Sequence, residues 1–138
     1  MERELFKFDL ELEGMDDVLA ALDRAEAEVM DALERAQEEN TEDLMGKAVE
    51  LAPILTGTLR RSAEPEVSRD ATGVTGVVSF NTPYAVRRHE ENYKPGPLTA
   101  ASPGIDGMPA GRKYLERPLK ANAKKYVEHA ADRVREVL

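Results

Sequence analysis

The stretch MDDVLAALDRAEAEVMDALERAQEENTEDLMGKAVELAP, Met15 to Pro53, decides how the chain is built. Met15, Val18, Leu22, Ala25, Val29, Leu33, Ala36, Asn40, Leu44, Ala48 and Leu51 recur at steps of three and four. That spacing draws one apolar stripe along a helix from about Met15 to Ala52. Asp16 and Asp17 place negative charge at its start, where helix N–H groups lack partners, and Pro53 ends it or stands just past its end. The helix is long for a globular protein, and the polar run Glu38 to Asp43 leaves room for a kink or break.

Before this helix, Glu4 to Glu13 carries Phe6, Phe8, Leu10 and Leu12 at one parity among charged neighbours, the pattern of a half-buried strand ended by Gly14. After it, Ile54 to Ser62 holds Thr56, Gly57 and Thr58, a turn or tight loop, and leads to a strand around Ser62 to Ser68. Asp70 to Gly73 reads as a hairpin turn. Val74, Gly76, Val78 and Phe80 then share one face of a further strand, so that two or three strands form a meander. Tyr84 to Glu91 fits a short helix.

Asn92 to Gly111 contains Pro95, Pro97, Pro103 and Pro109 with Gly96, Gly104, Gly107 and Gly111, which argues against helix and interior strand alike. A loop this long suggests an arm that orders against a neighbour, the plainer alternative being a floppy insertion. Lys113 to Leu138 returns to helical spacing through Tyr114, Leu115, Leu119, Ala123, Tyr126, Val127, Ala130, Val134 and Val137, with Pro118 suggesting where the firm helix begins. The expected class is α+β: a small antiparallel sheet of three to four strands packed against a long N-terminal helix and a C-terminal helix. The 138 residues suit one domain, 1–138.

Composition narrows the functions. Zero Cys removes thiolate nucleophiles and cysteine-ligated metals, and is in keeping with synthesis in a reducing cytosol. Met1 to Leu12 has no continuous apolar run, so no signal peptide or membrane span is expected there. A net charge of -8 argues against a general nucleic-acid binder. The charge is uneven: seventeen acidic and five basic residues in 1–50, ten and fourteen in 51–138. Two readings of that asymmetry stay open, complementary faces within one monomer and a head-to-tail contact between copies.

Catalytic patterns do not emerge. His89 and His129 form no metal-binding pair on a helix, and His89, Glu90 and Glu91 are adjacent residues that diverge around a helix instead of converging on one ion. Gly104, Gly107 and Gly111 match no phosphate-cradling fingerprint. The acidic pairs read as the wet face of a helix, and seven aromatics with no Trp make a poor stacking platform. No catalytic, cofactor-binding or metal residue is assigned, and no cofactor is expected.

Three segments carry a resemblance. Ala52-Pro53-Ile54-Leu55-Thr56-Gly57-Thr58-Leu59-Arg60-Arg61-Ser62 resembles a motif of roughly A-P-x-x-T-G-x-L-R-x-S that follows the long helix in the neck, or head-tail joining, proteins of tailed bacteriophages, also described as minor capsid or tail-component proteins. Pro83-Tyr84-Ala85 with His89-Glu90 is similar to that family's Y-A-x-x-x-H-E variant, and Gly111-Arg112-Lys113-Tyr114-Leu115-Glu116-Arg117-Pro118-Leu119 to its G-x-K-[FY]-L-x-x-[AP]-L segment. Order and spacing agree over most of the chain. The departures are the loop Asn92 to Gly111 and the glycine expected soon after Ala85, absent until Gly96.

The resemblance implies a non-enzymatic structural subunit of the virion neck, made in the host bacterial cytoplasm. It would form a sixfold ring with copies of itself, with the head-closure or connector protein on one side and the tail terminator or tail tube protein on the other. DNA would pass through without sequence-specific binding. A second expectation, from charge and not from the resemblance, is that the acidic first half lines the channel, where like charge would keep DNA from sticking. The expected contacts are Arg60, Arg61, Arg87, Arg88, His89, Glu90, Lys94 and Arg112, with Pro53, Thr56, Gly57, Leu59, Tyr84 and Leu115 as structural motif residues, Tyr84 and Leu115 in the core. The alternatives are a tail terminator or minor capsid protein of the same particle, an acidic regulatory module that binds a host protein, and a metal-dependent enzyme built on His89, Glu90 and Glu91.

Overall fold

The computed structural model describes residues 26–138 and the backbone of residues 4–9. The expected helix start at Asp16 and Asp17, and the stripe positions Met15 to Ala25, lie outside the described residues. From Glu26 the stripe is a continuous helix, α1 (Glu26–Leu51), in which Val29, Ala36, Asn40, Leu44, Ala48 and Leu51 are buried. The polar run does not break it: Gln37 just ahead of the run and Asn40 within it find partners, whereas the buried Thr41 hydroxyl has none among the described residues. Gln37 Nε2 donates to the Val74 carbonyl at 3.2 Å, and Asn40 Nδ2 donates to the Tyr126 carbonyl at 3.0 Å. Asn40 thus occupies an apolar-stripe position while tying α1 to a helix far along the chain.

Leu51 is the last residue of α1, and Pro53 follows two positions later. The expected tight loop also holds a helical turn, α2 (Thr58–Arg61). Strands β2 (Ala63–Asp70) and β3 (Gly73–Phe80) form the expected hairpin, with Ala63 opposite Phe80 and Asp70 opposite Gly73. Asp70 Oδ1 accepts hydrogen bonds from the Thr72 amide at 2.7 Å and the Gly73 amide at 3.1 Å, closing the turn.

Strand β1 (Glu4–Asp9) lies antiparallel to β3, from Glu4 opposite Phe80 to Asp9 opposite Thr75. The order is therefore β1-β3-β2, with β3 central, and not the meander expected from succession along the chain. The physical reason is composition. Val74, Gly76, Val78, Ser79 and Phe80 of β3 are all buried, whereas β2 is largely exposed and contains Pro65, which cannot donate to a ladder and suits an edge. Leu10 and Leu12 lie outside the described residues.

Two short helices follow, α3 (Ala85–Glu90) and α4 (Pro97–Ala101), then α5 (Glu116–Glu136). Pro118 is the third residue of α5, where its missing N–H would have no helical partner in any case, so the helix begins ahead of the proline. Residues 92–111 correct the expectation of an arm. Pro97 opens α4, the buried Thr99 hydroxyl accepts the Ile54 N–H at 2.8 Å, and Ile105 and Met108 form an isolated bridge and pack against the core. The Gly111 amide donates to the Leu51 carbonyl at 2.8 Å. Proline and glycine do exclude long regular structure here, yet the segment folds onto its own chain.

The main core joins Leu44, Ala48 and Leu51 of α1 to Leu59, Val78, Phe80, Ala85, Tyr114, Leu115 and Tyr126. A smaller cluster, Val29 and Ala32 with Val134, seals the front of α1 against the end of α5. Charge follows the same contacts: Arg133 forks onto Glu39 at 3.1 and 2.9 Å, Lys125 faces Asp43 at 3.8 Å, and Arg69 reaches Asp31 at 2.6 Å. The Arg133 hydrogen bond holds the Glu39 carboxyl below its ordinary value. Part of the charge asymmetry is therefore met inside the monomer. Glu26, Glu28, Glu38 and Glu42 make no ion pair among the described residues.

Candidate assembly interface

The first motif is a helix stop built around one arginine. After Pro53, Gly57 takes φ +84°, a left-handed conformation that suits glycine, and starts the reversal into α2. The Thr56 and Thr58 hydroxyls hydrogen-bond each other at 2.9 Å, and Leu59 turns into the core. Arg60 then reaches back: its Nε donates to the Ala52 carbonyl at 2.9 Å and its Nη2 to the Glu50 carbonyl at 3.0 Å and to Ser102 Oγ at 3.2 Å. Carbonyls at a helix end have no helical donor, and the planar guanidinium supplies one to two of them. Arg60 was expected at a subunit contact; its Nε and Nη2 donors are committed within the chain. Arg60→Ala is expected to lower the unfolding free energy by about 1–3 kcal/mol, and Arg60→Lys to recover only part of it, as read by urea denaturation.

The second motif lies on α3 and differs from expectation at two residues. Tyr84, expected in the core, is 38% exposed, and Ala85 is the buried residue. His89, expected on the surface, is fully buried. It stands four residues after Ala85 and so shares the inward face of the short helix. Its Nε2 accepts the Glu116 N–H at 3.1 Å and its Nδ1 lies 2.9 Å from Glu90 Oε1, so the proton belongs on Nδ1, facing the carboxylate. The ring meets Tyr114 edge-on at 5.1 Å. His89 thus accepts a hydrogen bond from the first turn of α5. With both ring nitrogens engaged, a metal site on His89, Glu90 and Glu91 has no free histidine donor. Among the described residues, no group of three or more His, Asp or Glu is placed to hold a metal ion.

Burial pushes the His89 imidazole below its ordinary value, while Glu90 opposes the shift. Between the folded and unfolded values the unfolded chain binds the proton more readily, so stability rises with pH in that window. The contribution is full above the unfolded value of about 6.5 and is lost as pH falls through the folded one. The expected result is a urea midpoint that drops from pH 7 to pH 5 in the native protein and drops less in His89→Gln.

The third motif locks onto the second. Arg112 Nε donates to the Glu90 carbonyl at 2.8 Å, the Lys113 amide to the His89 carbonyl at 2.9 Å, and the Tyr114 hydroxyl to the Ala85 carbonyl at 2.8 Å. Lys113 Nζ pairs with the Glu90 carboxylate, which keeps Glu90 below its ordinary carboxyl value. Leu115 is fully buried, as expected. Of the expected contact residues, Arg61, Arg87, Arg88, Glu90, Lys94 and Arg112 are exposed.

Between the first two motifs the chain leaves a groove of about 490 Å³. Leu55, 86% exposed, and Tyr84 give it apolar walls; among the described residues, Arg88 and Lys94 are its only charged lining residues and no carboxylate lines it. The Arg88 guanidinium lies 5.3 Å from the centre of the Tyr93 ring, and the Tyr93 hydroxyl donates to the Arg88 carbonyl at 2.8 Å, holding this edge of the groove together. Leu55 and Tyr93 went unnoticed in the sequence because neither belongs to a periodic face. The one available signal was a bare leucine between Pro53 and Gly57, where a turn would ordinarily be polar.

Comparison with models of protein families, with curated proteins and with solved structures finds no match for this chain. Among the described residues, no helix is long and apolar enough to cross a membrane.

Proposed function

We propose that this chain is a ring-forming joining subunit of the neck of a tailed bacteriophage, set between the head-closure complex and the tail and performing no reaction of its own. The supporting observation is that the three segments resembling the neck-family motifs, separated by long stretches of sequence, are parts of one structural unit. Ala52 and Leu59 of the first share the core with Ala85 of the second and Tyr114 and Leu115 of the third, and the third supplies Tyr114, Lys113 and Arg112 to the α3 residues of the second. Such interlocking gives a reason for the motifs to occur together, in order, in one chain. Around them the fold leaves exposed cations and an apolar groove, features of a contact surface. Glu38 and Glu42, exposed on α1 and without an ion-pair partner among the described residues, would face passing DNA, where like charge keeps it from sticking.

The test is made in the particle. Deleting the gene is expected to yield filled heads separated from tails, and immunogold labelling of intact virions is expected to mark the collar. Normal particles after deletion would overturn the proposal.

A further inference from the structure

We infer that the cleft between α1 and the edge strand β2 is a binding site for a primary ammonium group on an aliphatic stem, held by Glu38, Glu42 and the Thr41 hydroxyl. The inference stands on this cleft and does not depend on the neck reading.

The cleft has a volume of about 240 Å³ and is lined by Glu38, Thr41 and Glu42 of α1 and by Pro65, Glu66 and Val67 of β2. No basic residue lines it among the described residues. At about 100° per residue, positions 38, 41 and 42 fall within about 100° of the helix circumference and so share one side of α1. Glu38 and Glu42 are exposed and make no ion pair among the described residues. Four residues apart with like charge, they repel each other across one helical turn. A cation set between them relieves that repulsion.

Thr41 shows which kind of cation fits. It lines the cleft while fully buried, which sets it at the floor beneath the two exposed glutamates. Its Oγ1 has no hydrogen-bond partner among the described residues, whereas Gln37 and Asn40, the buried polar residues just ahead of it on α1, are both partnered. A buried hydroxyl without a partner is costly, and beside two carboxylates it offers a third oxygen to a donor. A primary ammonium carries three N–H donors, one for each of these groups. A metal ion fits less well, since among the described residues no group of three or more His, Asp or Glu is placed to hold one.

The β2 side of the cleft suits the stem. Pro65 and Val67 lie two residues apart on the strand and so share a sheet face, and Pro65 stands opposite the buried Val78. Methylene groups can rest on that apolar wall while the charged end reaches the carboxylates. A lysine side chain of a partner and a free polyamine share this chemistry. One ammonium leaves the glutamate pair with net negative charge, so an occupied site keeps its sign.

Amide NMR spectra of the whole chain, titrated with butylammonium, test the site. Shifts are expected at residues 38–42 and 65–67. Tetramethylammonium, which has the charge but no N–H, should bind at least tenfold more weakly. Thr41→Val removes a hydroxyl that has no partner to lose, so its melting should match or exceed the native value while butylammonium binding falls about tenfold. Glu38→Gln with Glu42→Gln, at two exposed positions, should abolish the shifts. Of spermidine and Nα-acetyl-lysine amide at matched ionic strength, the tighter binder identifies the source as a free polyamine or a partner's lysine. Shifts absent with every amine would overturn the inference, as would equal binding of tetramethylammonium or undiminished binding by Thr41→Val.

Discussion

Tyr114→Ala is expected to lower the unfolding free energy by about 3–5 kcal/mol, the range for removing a buried aromatic side chain. Tyr114 is fully buried, meets Phe80 edge-on at 5.0 Å and His89 at 5.1 Å, and donates its hydroxyl to the Ala85 carbonyl. Its removal opens a cavity where the sheet, α3 and the approach to α5 come together. The loss exceeds a simple transfer cost because Phe80 and the backbone around Ala85 can close in only partly. Tyr114→Phe separates the contributions. It keeps the ring and removes one hydrogen bond, so it should cost about 1 kcal/mol. Urea denaturation of both variants measures the difference, and equal losses would mean that the hydroxyl, not the ring, holds the site together.

Gly104→Ala is the second large effect, expected at about 3 kcal/mol or more. Gly104 has φ +66°, and a Cβ placed on it would lie 2.0 Å from the Met108 carbonyl oxygen. That oxygen is backbone and accepts the Ile105 N–H at 3.1 Å, so relief requires opening the turn that brings Ile105 and Met108 to the core. Gly107→Ala provides the control, since Gly107 has φ +78° with no atom within 4 Å of the added Cβ. It carries only the left-handed backbone cost of about 1–2 kcal/mol. If the two variants melt alike, the close approach at Gly104 has no energetic consequence and segment 92–111 is less firmly seated than described.

Local periodicity carried much of this fold in the sequence. The stripe through Val29, Ala36, Leu44, Ala48 and Leu51, the alternation of Val74, Gly76, Val78 and Phe80, and the late helix through Tyr126, Ala130 and Val134 each fall on buried faces. What stayed illegible depends on partners distant in sequence. Pro95 to Pro109 correctly spoke against long helices and strands, but nothing nearby announces that Thr99 will accept the Ile54 amide or that Ile105 will reach the core. His89 sits among charged residues and looks like surface until Tyr114 and the Glu116 amide are placed beside it. Arg60 looks like a free cation until the end of α1 is seen to lack donors. The candidate site was half legible: Arg88 and Lys94 stood out by charge, whereas the groove they rim exists only once residues 53–59 and 84–96 face each other.

Native mass spectrometry of the purified protein, alone and mixed with head-closure and tail proteins, tests the central claim most directly. A closed ring of this chain, formed alone or on those partners and carrying no bound cofactor mass, is the result expected of a neck subunit. A monomer under every one of those conditions would contradict it.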